Sequence, residues 1–160
     1  MKTILSFILI ITVISECQKE DHEESNSVVV DNAIELALVD PEGNDLLDLQ
    51  NENAIEQSKI NVFYLINGSL QEVYDTSKDY PRNFLVYKHE NQYRIRVFLN
   101  SEENEATPET YIQWSESDTD TIKAEFRRSP SSLTIDKIWL NEEGLWPSED
   151  KKELYFTLTK

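Results

Sequence analysis

The stretch Asn61-Val62-Phe63-Tyr64-Leu65-Ile66-Asn67-Gly68-Ser69-Leu70-Gln71-Glu72-Val73-Tyr74 decides the fold class. Asn67-Gly68 separates two runs rich in β-branched and aromatic residues, and this dipeptide accepts the positive φ that a type I′ turn requires at both central positions. A tight hairpin is predicted. Outward from it, Ile34, Leu36 and Leu38 alternate with Glu35 and Ala37, and Tyr93, Ile95, Val97 and Leu99 with Arg94 and Arg96. Ile122, Ala124 and Phe126 alternate with Lys123 and Glu125, and Leu154, Phe156 and Leu158 with Tyr155, Thr157 and Thr159. Period two means strands with one wet face, the carboxyl-terminal one lying in the core.

Ile60 to Ile66, Phe84 to Tyr87 and Ile138-Trp139-Leu140 carry large side chains on both faces and read as central or strongly curved strands. The apolar parity slips between Ile135 and Ile138, which predicts a bulge near Asp136 and Lys137. Turns are expected at His89-Glu90-Asn91, Ser129-Pro130-Ser131 and Asn141 to Gly144, and only Asn53 to Ser58 offers a helical turn. About eight strands with no crossover helices predict an all-β, antiparallel sandwich, Ig-like or related, over 28–160.

Composition narrows the chemistry. The chain has 160 residues, with 31 acids against 15 bases and a net charge of -16, which repels phosphate backbones and argues against nucleic acid. Two histidines, one cysteine and three glycines cannot build a zinc cluster, a disulfide framework or a glycine-rich phosphate loop.

At the amino terminus Lys2 precedes the apolar run Ile4 to Ile14, and Ser15-Glu16-Cys17 follows. The run is too short for the ~20 residues of a membrane span and has the layout of a secretory signal. Ile14-Ser15-Glu16-Cys17 resembles the lipobox of bacterial lipoproteins, departing from it at Glu16, where the pattern has a small residue. The resemblance implies a signal peptide over 1–16 and acylation of Cys17, and several acyl chains on one cysteine would hold a membrane firmly. Gln18-Lys19-Glu20-Asp21 is similar to the export signal of Bacteroidetes lipoproteins, which implies display on the outer face of the outer membrane through Lys19, Glu20 and Asp21. Residues 17–27 then read as the lipidated cysteine and a disordered acidic tether. In the body, Asp79 to Phe84, Tyr111 to Trp114 and Asp118 to Ile122 resemble small lipoproteins of Bacteroidetes, a likeness that implies no activity. Asp120-Thr121-Ile122 also resembles the short O-glycosylation motif of proteins from that group.

Catalysis is not expected. His22 falls in the tether and His89 in a turn, neither with the supporting partner a base needs, and close acids such as Asp118 and Asp120 are common on so acidic a surface. Calcium is the one cofactor with candidate ligands, on Asp40, Glu42, Asn44, Asp45 and Asp48 or on Glu116, Asp118 and Asp120, although neither run fits the twelve-residue calcium loop. Solvated turns are the preferred reading of both.

Trp114, Trp139, Trp146, Tyr80, Tyr87 and Tyr111 could form a stacking platform; most are assigned to the core, with Tyr111 and Trp146 expected outside as ligand-binding candidates. Arg82, Lys88, Arg94 and Arg96 form a locally basic segment, and pairing of Arg94 and Arg96 with acids such as Glu125 is preferred over an anion site. The expectation is a lipid-anchored, cell-surface sandwich with a non-catalytic binding role for a glycan or protein. The alternative is a structural or assembly accessory of an outer-membrane complex.

Overall fold

The computed structural model describes residues 28–147 and 153–160. The segments expected to be a signal peptide and a tether, with Cys17, Lys19, Glu20, Asp21 and His22, lie outside the described residues. Eleven strands are described: β1 (Val29–Asp31), β2 (Ala33–Val39), β3 (Asn61–Ile66), β4 (Ser69–Glu72), β5 (Phe84–His89), β6 (Gln92–Phe98), β7 (Glu109–Ser115), β8 (Asp118–Ser129), β9 (Ser132–Leu140), β10 (Glu143–Trp146) and β11 (Tyr155–Thr159). A 3-10 turn at Gln57–Lys59 stands where a helical turn is predicted. Among the described residues no helix is long and apolar enough to cross a membrane.

The strands form two sheets that do not close into a barrel, as the sandwich reading requires. The larger runs β1-β9-β8-β7-β3-β4, with β10 also beside β9, and the smaller runs β11-β2-β6-β5. One core lies between them. Ile34, Leu36 and Leu38 of β2, Ile95 and Val97 of β6, and Phe156 of β11 meet Val62 of β3, Ile112 and Trp114 of β7, Ile122 of β8 and Ile138 of β9, all nearly or wholly excluded from water. Those of β2, β6, β8 and β11 are the parity positions of the alternating runs, and each such side chain in the core contributes roughly 1.5–3 kcal/mol by leaving water.

The predicted hairpin is present, with Ile66 opposite Ser69, φ of 51° at Asn67 and 77° at Gly68. The predicted bulge is also present: Glu125 faces Lys137 but Phe126 faces Ile135, so Asp136 is the extra residue of β9. It restores Ile138 to the core side.

Most pairs are antiparallel, yet β1 runs parallel to β9 and β11 parallel to β2. Each of these pairs joins segments far apart in sequence, so no hairpin constrains direction. β1 and β10 fall outside the expected set because they are short and occupy successive parts of one edge of β9. β5, read from sequence as central or strongly curved, is an edge strand. Its second apolar side is not core: Tyr87 lies under the Arg96 guanidinium, 5.7 Å from ring centre to carbon.

Arg94 and Arg96 pair with Glu35 of β2, with Arg94 Nη1 3.0 Å from Glu35 Oε2, rather than with Glu125. Glu125 belongs to the other sheet, where it holds Lys137 at 2.6 Å. Burial raises the affinity of the Glu35 carboxyl for a proton, but hydrogen bonds from Tyr87, Arg96 and Arg94 outweigh it and bring the pKa down to about 2. Arg94 also stacks 3.9 Å over the Tyr155 ring.

Candidate functional site

Because β3, β7, β8 and β9 bury one side, every second residue projects from the opposite face of the larger sheet. That outer face is built from cross-strand rungs. Asn61 faces Gln113 and Gln113 faces Thr119; the next outward rung sets Glu72, Phe63, Tyr111 and Thr121 side by side across four strands. One rung further, Lys123 faces Glu109 on one side and Trp139 on the other, and Trp139 faces Gly144. Phe63, Tyr111 and Trp139 are half-buried by their neighbours. Their strand neighbours Val62, Ile112 and Ile138 point into the core, so the rings lie on the solvent side.

Below the Phe63–Tyr111 rung the surface sinks into a recess of about 540 Å³ lined by Lys59, Asn61, Gln113, Ser115, Glu116 and Ser117. Asn61 Nδ2 reaches Gln113 Oε1 and the Lys59 carbonyl, each at 3.4 Å, long bonds that hold these amides loosely. An aromatic rung next to an amide rung at a concave surface can take a ring with an apolar face and a polar rim.

The lysines on this face are each tied to a carboxylate. Lys123 sits 2.7 Å from Glu142 and 3.4 Å from Glu109, and Lys59 sits 3.0 Å from Glu56. The Tyr111 hydroxyl donates to Glu109 Oε2 at 2.6 Å, which together with partial burial raises its pKa. Lys137, already bound to Glu125, stands 5.9 Å from the Trp139 ring centre. The Trp139 indole lies beside Gly144, where an added Cβ would come within 3.8 Å of Nε1.

Tyr111 stands on the outer face, as the sequence suggests. Trp146 does not join it: opposite Ile138, it packs partly buried against the core at the sandwich edge. Sequence reasoning assigned Trp139 to the core and read Phe63 within a two-faced run. The signal that locates both is parity, since Phe63 falls between Val62 and Tyr64, and the bulge at Asp136 puts Ile138 on the core side and Trp139 on the outer one. Thr121 of the Asp120-Thr121-Ile122 motif is half-buried in mid-strand beside Tyr111. His89 is exposed at the end of β5.

The aspartates of the two acidic runs are engaged by backbone amides, by side-chain donors and by lysine. Asp40 accepts from the Glu42 and Asn44 amides at 3.0 and 2.8 Å, Asp45 from the Leu47 and Tyr93 amides at 2.8 and 2.7 Å, and Asp48 from the Gln50 amide at 3.0 Å. In the second run, Asp120 is buried and accepts from Trp114 Nε1 and Asn141 Nδ2, both at 2.7 Å. Lys160 Nζ lies 2.6 Å from Asp120 and 3.0 Å from Asp118. Desolvation alone would raise the Asp120 pKa, but the bonds from Lys160, Asn141 and Trp114 hold it below the usual range. Among the described residues no three acidic, histidine or cysteine side chains converge as a metal cluster. Compared with known proteins, the chain matches no family model, no curated protein and no solved structure, so the meaning of this face is read from its geometry.

Proposed function

We propose that the protein is a lipid-anchored, cell-surface β-sandwich that binds a glycan, without transforming it, on the outer face of the larger sheet. The observation that carries this reading is the Phe63–Tyr111 rung directly following the Asn61–Gln113 rung, whose amides line the recess. Sugar rings present apolar C–H faces to aromatic rings and hydroxyl pairs to amides, each of which offers a donor and an acceptor. Glu109 and Glu142 are committed to Tyr111 and Lys123, which suits a rigid binding surface rather than proton transfer. Acylation at Cys17, with Lys19, Glu20 and Asp21 as the export signal, would tie the body to the outer membrane. Its net charge of -16 would hold it away from anionic headgroups.

The exposed Leu70, directly opposite Leu65 on the same face, favours a protein ligand as the second reading. A glycan array probed with the purified mature chain separates the two. The glycan reading predicts retained oligosaccharides whose affinity falls about tenfold or more in Tyr111→Ala and Gln113→Ala. No retained glycan, together with a partner crosslinked through this face on intact cells, would replace it with the protein reading. For the anchor, palmitate labelling should be lost in Cys17→Ala, and undiminished labelling would overturn it.

A further inference from the structure

We infer, resting on the glycan reading above, that the ligand is a neutral, linear oligosaccharide that runs obliquely across the sheet from the recess to Trp139. The inference joins three observations. First, the rings form a diagonal track. Tyr111 of β7 faces Thr121 of β8, whereas Trp139 of β9 faces Lys123, two residues further along β8. With strands about 4.8 Å apart and about 3.4 Å per residue, Tyr111 and Trp139 stand roughly 12 Å apart, and the recess rung at Gln113 stands roughly 17 Å from Trp139. A single pyranose ring cannot touch both ends; a chain of several can.

Second, the far end is kept open. Gly144 faces Trp139, is not in a left-handed conformation, and has room for a Cβ at ordinary contact distance. Its backbone therefore does not require glycine. What the missing side chain leaves uncovered is the indole edge that carries Nε1, a donor with no acceptor among the described residues. Trp114, in contrast, spends its Nε1 on Asp120. A polar step lies between the two aromatic ends, formed by the Thr121 hydroxyl and the Lys123 ammonium with Glu109 and Glu142.

Third, the sign of the field excludes an acidic chain. Lys59, Lys123 and Lys137, the lysines along this track, each hold a carboxylate, while Glu72 and Glu116 stand at its borders with no cation paired to them among the described residues. A uronate or sulfated chain would meet net repulsion, and a neutral one would lose nothing to it.

The test is titration of the mature full-length chain with neutral cello- and mannooligosaccharides of increasing length, and with a uronate oligosaccharide series alongside. Affinity is expected to climb about tenfold between the shortest chains and those long enough to reach Trp139, to change little with salt, and to exceed that for uronates. Trp139→Ala should flatten the dependence on length, with unchanged circular dichroism showing the fold intact. Gly144→Leu, which covers the indole edge and leaves the tryptophan in place, should do the same. Affinity independent of length, a length dependence that survives both variants, or tighter binding of uronates would overturn the inference while leaving glycan binding in place. Retention of no oligosaccharide of either charge would overturn both.

Discussion

Replacing Asp120 by alanine removes a carboxylate that is only 5% exposed and that gathers Trp114, Asn141 and Lys160 at one end of the sandwich. Breaking a buried ion pair costs about 3–5 kcal/mol when the surviving charge is left without a partner. Lys160 has an alternative, because Asp118 already lies 3.0 Å from its Nζ. Asn141 is exposed and can turn to water. Trp114 has neither escape: at 1% exposure its Nε1–H would be left unsatisfied, at about 1–3 kcal/mol, with a packing defect added. The expected loss is therefore about 3 kcal/mol, near the bottom of the ion-pair range, or a Tm lower by about 10 °C. Asp120→Asn, which keeps an acceptor for Trp114, should lose about 1 kcal/mol. Urea unfolding followed by circular dichroism and tryptophan fluorescence reads both variants, with the m-value unchanged. An alanine variant within about 0.5 kcal/mol of the parent, or equal losses in the two variants, would refute the assignment of Asp120 as the acceptor that Trp114 depends on.

Two further outcomes follow from the same physics. Glu35 has a folded pKa of about 2, below its ordinary value of 4.5, so the stability it contributes is fully present above pH 4.5 and is lost as the pH falls toward 2; Glu35→Gln should lower stability at neutral pH and flatten the acid limb between those values in a pH series of melting curves. Deleting Asp136 removes the extra residue of β9 and would turn either Ile138 and Leu140 or Ile135 and Leu133 to the wrong side; loss of cooperative unfolding is expected, and a deletion variant as stable as the parent would contradict the bulge register.

Much of the fold was legible because its decisive signals are local. Asn67-Gly68 specifies a backbone conformation that few dipeptides adopt, and the parity slip between Ile135 and Ile138 records an inserted residue without reference to any partner strand. Pairing is different. Nothing within Val29–Asp31 or Tyr155–Thr159 states which strand each lies beside or in which direction, and so the two parallel pairs were not foreseen. Likewise, Arg94 and Arg96 announce that they share a face, but their acid is chosen by the β2–β6 register, which only the folded chain contains. The candidate site was half readable for the same reason. Tyr111 is flanked by residues that plainly alternate, whereas Trp139 sits between Ile138 and Leu140 in a run that looks apolar on both sides. Trp146 follows a bulge between Gly144 and itself that reverses its side relative to simple alternation.

The crossing at Asn32 has a mechanical consequence. β1 belongs to one sheet and β2 to the other, with a single residue between them, and Asn32 is fastened to Leu99 through its carbonyl at 2.8 Å and its side-chain amide at 3.2 Å. Tension entering from the residues ahead of Val28 would meet the three rungs of β1 on β9, then the Asn32 clasp, then β2 wedged between β11 and β6. A pull directed along these strands would load their hydrogen bonds together in shear instead of parting them one after another. A body tugged by its amino-terminal side would thus bear the strain on the segment that stitches its two layers together.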